Sequence, residues 1–186
     1  MRAAMLVVLL VLSPLPVWAG PGEPMPEPSP GTDVVGDGVI VPGQRVGPVR
    51  MSMSMRQIID VLGEETRREE FKAEKIILYE WRREGIWVSL DMTTKAIRVI
   101  SAFGANGNYR TDKGVALLHS FTRAETVYGK EYKRWEFPKE KVILVRYTAM
   151  GLQFGLVNDP AQRLLIGRIF QIGIFKPGDL PPARQP

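Results

Sequence analysis

The chain has 186 residues, 45% apolar and 24% charged, with 25 Lys and Arg against 20 Asp and Glu for a net charge of +5. That length suits one ordinary domain or two small ones, and the mixed composition excludes a polytopic membrane protein or a wholly disordered chain. Cysteine is absent and His119 is the single histidine, which excludes disulfides, thiolate metal sites, a Cys nucleophile, a lipidated cysteine and His-rich zinc sites.

Residues 1–19 read as a secretory signal. Arg2 supplies the positive start, residues 6–12 a short apolar run, Pro14 and Pro16 the helix breaks, and Val17 and Ala19 the small residues before cleavage ahead of Gly20. An uncleaved anchor is the alternative, but the prolines cut the run short of the ~20 residues that span a bilayer. Loss of Arg2 leaves a charge of +4. The expectation is an exported protein, periplasmic or extracellular, that is not integral to a membrane after cleavage. Residues 20–39 combine many Pro and Gly with Glu23, Glu27, Asp33 and Asp37 and no base, the composition of a linker. Residues 176–186 are a Pro-rich tail.

Between them, residues 40–103 and 104–175 read as two copies of one unit. Ser54 to Gly63 matches Ser120 to Gly129, and Gly85 matches Gly151, all at an offset of 66 residues. Residues 97–103 answer 169–175 after a six-residue insertion around Asn158, Asp159 and Pro160. In the first copy Ser54 and Gln57 form a capping box, Met53 and Ile58 a hydrophobic staple, and Met55, Ile58, Ile59 and Leu62 one apolar helix face. Gly63 predicts a left-handed stop. In the second, Ser120 caps, and Phe121, Ala124, Val127 and Tyr128 supply the face before Gly129. Three strands follow each helix, over residues 75–81, 86–90 and 96–103, and over 141–147, 152–157 and 168–175. Extended lead-ins precede the helices at 46–51 and 112–117. The fold class is α+β: two tandem repeats, each a short helix followed by a three-stranded antiparallel meander.

The residues Met53-Ser54, Ile58, Leu62-Gly63, Tyr79-Glu80-Trp81, Gly85-Ile86-Trp87-Val88, and Ile97 with Ile100 and Ala102 form a recurring string. Its counterparts are Ser120, Ala124, Tyr128-Gly129, Val145-Arg146-Tyr147, Gly151-Leu152-Gln153-Phe154, and Ile169 with Ile172 and Ile174. The string resembles the helix-plus-meander module of the SmpA/OmlA outer-membrane assembly lipoproteins and of the β-lactamase inhibitor proteins, in which two such modules occur in tandem. The resemblance spans nearly the whole body and implies an exported, protein-binding module. The family glycine before the Met is Ser52 here and Leu118 in the second copy, and both the lipoprotein cysteine and the inhibitor disulfides are missing. Neither outer-membrane insertion nor β-lactamase inhibition is therefore carried over.

Little else suggests chemistry, and no cofactor or metal site is expected. His119 beside Ser120 reads as a helix entrance, since no nucleophile elbow is present. Gly104-Ala105-Asn106-Gly107 lacks a following Lys-Ser/Thr and reads as a connector. Asp91 with Thr93 and Thr94, and Asn158 with Asp159, sit where hairpin turns are expected. The mixed-charge residues 64–75 read as a solvated loop or short helix. The second copy is more basic, at +5 against +2, so Arg110, Lys113, Lys130, Lys133, Arg134, Lys139 and Lys141 offer a face for an anionic lipid or polysaccharide. No nucleic-acid-binding module is recognised.

Period-two alternation places Ile86 and Val88 towards the helix and Trp87 on the opposite face, with Tyr79 and Trp81 inside and Leu78 and Glu80 outside. Trp87 is then either a binding anchor or packing between the copies, and Trp135 falls in a loop before the second copy's first strand. The resulting expectation is a non-enzymatic protein-binding or envelope-assembly module acting through open sheet faces. Its candidate contacts are Trp87, Leu78, Arg146 and Gln153, and its partner is another envelope or secreted protein. The alternative is an envelope hydrolase or sugar-modifying enzyme using Asp60, Glu80 or Asp91; a purely structural role is the third reading.

Overall fold

A computed structural model describes residues 36–104 and 109–179. The signal, most of the linker, residues 105–108 of the connector and the end of the tail lie outside the described residues. Short strands β1 (Val39–Val41), β2 (Arg45–Val46) and β3 (Val49–Arg50) precede helix α1 (Met55–Leu62). Four strands follow it: β4 (Arg67–Phe71), β5 (Ile76–Trp81), β6 (Ile86–Asp91) and β7 (Ile97–Phe103). After β8 (Arg110–Thr111) comes α2 (Phe121–Tyr128), then β9 (Lys133–Phe137), β10 (Val142–Tyr147), β11 (Leu152–Val157) and β12 (Ile169–Ile174). Among the described residues the long strands form one sheet in the order β4-β5-β6-β7-β12-β11-β10-β9. The α+β class holds, but each helix leads into four strands where the sequence reading expects three.

The additional strands are the sheet's edges, and the sequence reading expects a strand at neither. Arg67–Phe71 falls in the charged stretch taken for a loop or helix, and Trp135 lies in β9 and not in a loop. Edge strands tolerate charge on both faces because one flank meets solvent, so their alternation carries little apolar signal. The meanders meet at the centre, where β7 and β12 pair antiparallel with Ile100 opposite Ile174 and Ala102 opposite Ile172.

Both helices pack on one face of this sheet. Ile58 and Leu62 of α1, and Phe121, Ala124 and Tyr128 of α2, join Trp81, Ile86, Val88, Ile100, Val145, Phe154, Ile172 and Ile174 in one core. The small sheet β3-β2-β1-β8 adds Ile40, Val46 and Val49 to the same core. β1 pairs with β2 and, in parallel, with β8, tying the start of the described chain to the segment between the halves. Full burial of an aliphatic side chain is worth roughly 1.5–3 kcal/mol. A chain without disulfides thus has a continuous core to hold it.

The helix ends show how local sequence sets this geometry. Ser54 Oγ accepts from Gln57 N–H while the Gln57 side chain accepts from Ser54 N–H, completing the expected capping box. Ser120 makes no side-chain cap bond, contrary to expectation. Leu118 before it takes a positive φ of 64°, at the position of the glycine noted above, and His119 Nδ1 accepts the Ala116 N–H at 3.1 Å. Gly63 and Gly129 end their helices at φ 81°, ψ −170° and φ 83°, ψ −169°. The φ is positive as expected, but the extended ψ is a glycine-only conformation and not the left-handed helical stop. Each of these carbonyls then receives a strand aromatic: Trp81 Nε1–H donates to Gly63 and Tyr147 O–H to Gly129, both at 2.9 Å.

Candidate functional site: the open sheet face

The register places one residue from each long strand in a single row on the face away from the helices. It reads Arg67, Glu80, Trp87, Ser101, Gly173, Gln153, Arg146, Lys133, each directly opposite the next. Directly opposed side chains stand ~4.5–5.5 Å apart, close enough for continuous contact across the sheet. All four residues singled out from the sequence lie on this face: Trp87, Gln153 and Arg146 in the row, and Leu78 beside it, opposite Ser89.

The centre of this face is polar and yet packed. Glu80, Trp87, Ser101, Arg146, Gln153 and Gln171 are all buried, although no element of the described chain is paired over them as a third layer. Their own side chains cover them. Gln171 Nε2–H donates to Ser101 Oγ at 2.8 Å across the β7–β12 seam, and Arg146 Nε–H donates to Gln153 Oε1 at 3.0 Å. Gly173 lies where these chains converge: a Cβ there would stand 2.6 Å from Ser101 Oγ and 2.8 Å from Gln153 Nε2. Sequence reasoning did not find Ser101, Gly173 or the neighbouring Gln171, because only the long-range β7–β12 pairing brings them together on this face.

Two centres differ in character. In the second half the Arg146 guanidinium lies over the Trp135 and Phe175 rings, at 5.5 and 5.8 Å from their centroids. Burial lowers its pKa to about 10, which leaves it a cation at neutral pH. In the first half Trp87 is 6% exposed and stacks on Phe103, with centroids 4.1 Å apart. Its indole Nε1 is buried with no hydrogen-bond partner among the described residues. Glu80 beside it accepts from Arg82 Nε at 3.2 Å. Arg67, Glu69, Leu78, Glu80 and Trp87 line a shallow depression, open to solvent, of about 10 Å³, room for about one water molecule. Ordinary small-molecule sites enclose ~300–1,000 Å³, so this one is far too small for a free metabolite.

The three carboxylates considered for hydrolysis do not share a cleft. Asp60 is on α1 beside Arg56, at 3.8 Å, on the helix side of the sheet. Glu80 opposes Trp87, and Asp91 lies four residues further along β6, ~13 Å away at strand rise. Asp91 closes its hairpin: Oδ1 accepts from Thr93 N–H and Thr94 N–H, both at 2.8 Å, and Oδ2 pairs with Arg98, which together hold its carboxyl below the usual range. Asp159 behaves alike, accepting from Ala161 N–H and pairing with Lys141 at 3.0 Å. Among the described residues no group of three or more His, Cys, Asp or Glu could hold a metal ion.

Of the bases proposed for an anionic face, Lys141 pairs with Asp159, Arg134 with Glu136, and Lys113 sits over the Tyr128 ring. Arg110, Lys130, Lys133 and Lys139 are exposed. No helix among the described residues is long and apolar enough to cross a membrane. The fold and site define an α+β protein with a packed polar row on an uncovered sheet face. No protein-family model, curated protein or solved structure matches the chain.

Proposed function

We propose that this is an exported, non-enzymatic binding or assembly module that engages another envelope or secreted protein through the open face of its large sheet. The observation that carries the reading is the centre of the row, where Glu80, Trp87, Ser101, Gln153 and Arg146 lie buried and face away from the core. Buried polar groups cost free energy unless they are satisfied, and here they bond chiefly to one another, so the face is presented to a partner already ordered, with the Trp87 indole N–H left unpartnered among the described residues. Central, desolvated Trp and Arg side chains are the residue types that dominate protein interfaces.

The same reading takes the body as a duplicated unit similar to the SmpA/OmlA and β-lactamase-inhibitor modules. Its support is the recurrence of detail at an offset of 66 residues: α1 and α2, β4 and β9, β5 and β10, β6 and β11. The aromatic-to-glycine bonds of Trp81 and Tyr147 recur at the same offset. Export rests on the N-terminal signal pattern.

The test is capture of partners from envelope extract by the full chain, by Ser89→Arg, and by Asp60→Arg. Ser89 is half-buried on the open face beside Leu78, whereas Asp60 is exposed on α1. A partner held by the parent and by Asp60→Arg but lost by folded Ser89→Arg is the expected result. Equal retention by all three contradicts the open-face reading.

A further inference from the structure

The connections between the last two strands of each half are built differently. In the first half Asp91 closes a short turn whose exposed residues are Thr93, Thr94, Lys95 and Ala96. In the second, residues 158–168 form a longer loop between β11 and β12. Asp159 fixes its base through the Ala161 N–H and Lys141, and the Gly167 N–H donates to the Val157 carbonyl at 2.8 Å. The Phe121 N–H donates to the Gly167 carbonyl at 3.0 Å, and the Leu118 N–H to that of Ile169 at 2.7 Å, which ties the loop to the entrance of α2.

This bonded frame carries aliphatic side chains outward. At the 3-10 turn Arg163–Leu165, Leu165 is half-buried, whereas Leu164 is 83% exposed and the following Ile166 48%. Arg163 and Arg168 flank the pair along the chain, and Arg123 of α2 stands with Arg168 close enough to His119 for both to lower its pKa. All three arginines are exposed and none has an ion pair among the described residues. The loop's one acid, Asp159, is buried and already paired.

We propose that this loop is a bilayer-docking tip: Leu164 and Ile166 enter the acyl boundary of a membrane while Arg163, Arg168 and Arg123 meet the phosphates of anionic lipids. The proposal is independent of the open-face reading and uses none of its residues. A protein partner fits the tip less well. Protein contacts centre on Trp, Tyr and Arg anchors seated in packed recesses, whereas residues 158–168 contain no aromatic ring and the aliphatic pair projects from a loop. A second copy would set these arginines against their like about the symmetry axis. A bilayer asks for no matching shape, since its hydrocarbon accepts the aliphatic groups and its phosphates pair with guanidinium.

The experiment is co-sedimentation of the chain from Gly20 with vesicles of equal parts phosphatidylserine and phosphatidylcholine, and with vesicles of phosphatidylcholine alone. Starting at Gly20 removes the apolar run at 6–12, which would itself enter lipid, and keeps the whole core. Three double variants are compared, each checked by its urea midpoint: Leu164→Ser with Ile166→Ser, Arg163→Gln with Arg168→Gln, and Lys130→Gln with Lys139→Gln. The last removes the same charge from exposed positions outside the loop. The expected result is binding to the mixed vesicles that weakens about tenfold on phosphatidylcholine alone, about tenfold in each of the first two variants, and less than about threefold in the third. Undiminished binding by Leu164→Ser with Ile166→Ser overturns the tip, because attachment is then general charge adsorption. Equal losses for the arginine and lysine pairs overturn it as well. So does a parent chain that leaves the vesicles unbound, and if that chain self-associates through Leu164 the patch is a protein contact. Should Arg163→Gln with Arg168→Gln not fold, the aliphatic pair decides the question, since neither side chain belongs to the core. No arm uses partner capture, so the tip and the open face can fail separately.

Discussion

The two halves of the large sheet agree where they face the helices and disagree where they face away. On the helix side Trp81 and Tyr147 occupy equivalent positions and donate to equivalent glycine carbonyls at the same distance, and Ile86, Val88 and Ile100 are answered by Leu152, Phe154 and Ile172. On the open side Glu80 is answered by Arg146, Trp87 by Gln153, and Glu69 by Trp135. A core position must preserve volume and bonding or lose stability, whereas a position on an uncovered face answers to whatever docks there. The face opposite the helices is therefore where the halves are free to carry different chemistry.

The strongest test of the shared scaffold lies at the tight turns between the second and third strands of each meander. Gly85 and Gly151 both have positive φ, and a Cβ would stand 2.9 Å from the Phe103 carbonyl oxygen in the first and 2.1 Å from that of Phe175 in the second. Gly151→Ala is expected to cost roughly 3–5 kcal/mol and Gly85→Ala about 2 kcal/mol, read by urea unfolding. Small losses at both positions would show that neither turn depends on its glycine.

A smaller effect separates the helix entrances. Ser54→Ala removes half of a capping box and should destabilise by about 1 kcal/mol, whereas Ser120→Ala, with no cap bond to lose, should change stability by less than about 0.5 kcal/mol. The second entrance relies instead on His119, whose Nδ1 accepts the Ala116 N–H and must be unprotonated to do so. Burial, with Arg123 and Arg168 nearby, lowers its pKa from the ordinary 6.5. Because the folded value lies below the unfolded one, its contribution is complete above about pH 6.5 and is lost as the pH falls through the lowered folded value. Between pH 7.5 and 5.5 the parent should lose more stability than His119→Asn, whose side-chain oxygen can take the same N–H at either pH. Parallel losses in thermal midpoint would remove His119 from the account.

The helices and inner strands were legible because period and punctuation agreed. Apolar residues at 55, 58, 59 and 62, the Ser54 cap and the Gly63 stop left one reading, and alternation in β5 and β6 assigned both faces correctly. The edges were not, since RREEF and KRWEF spread charge over both faces. A signal was nevertheless present: at the same offset of 66, Arg67, Arg68, Glu70 and Phe71 are answered by Lys133, Arg134, Glu136 and Phe137. Half of the site was legible for the same reason as the strands. Ser101, Gln171 and Gly173 were not, because two segments 70 residues apart must pair before Gln171 meets Ser101.

The central claim is that the open face is dispensable for folding and required for recognition. The most direct measurement is partner capture and urea unfolding on the same preparation of Ser89→Arg. The account predicts a midpoint close to that of the parent together with loss of the captured protein. Undiminished capture by a folded Ser89→Arg would contradict it.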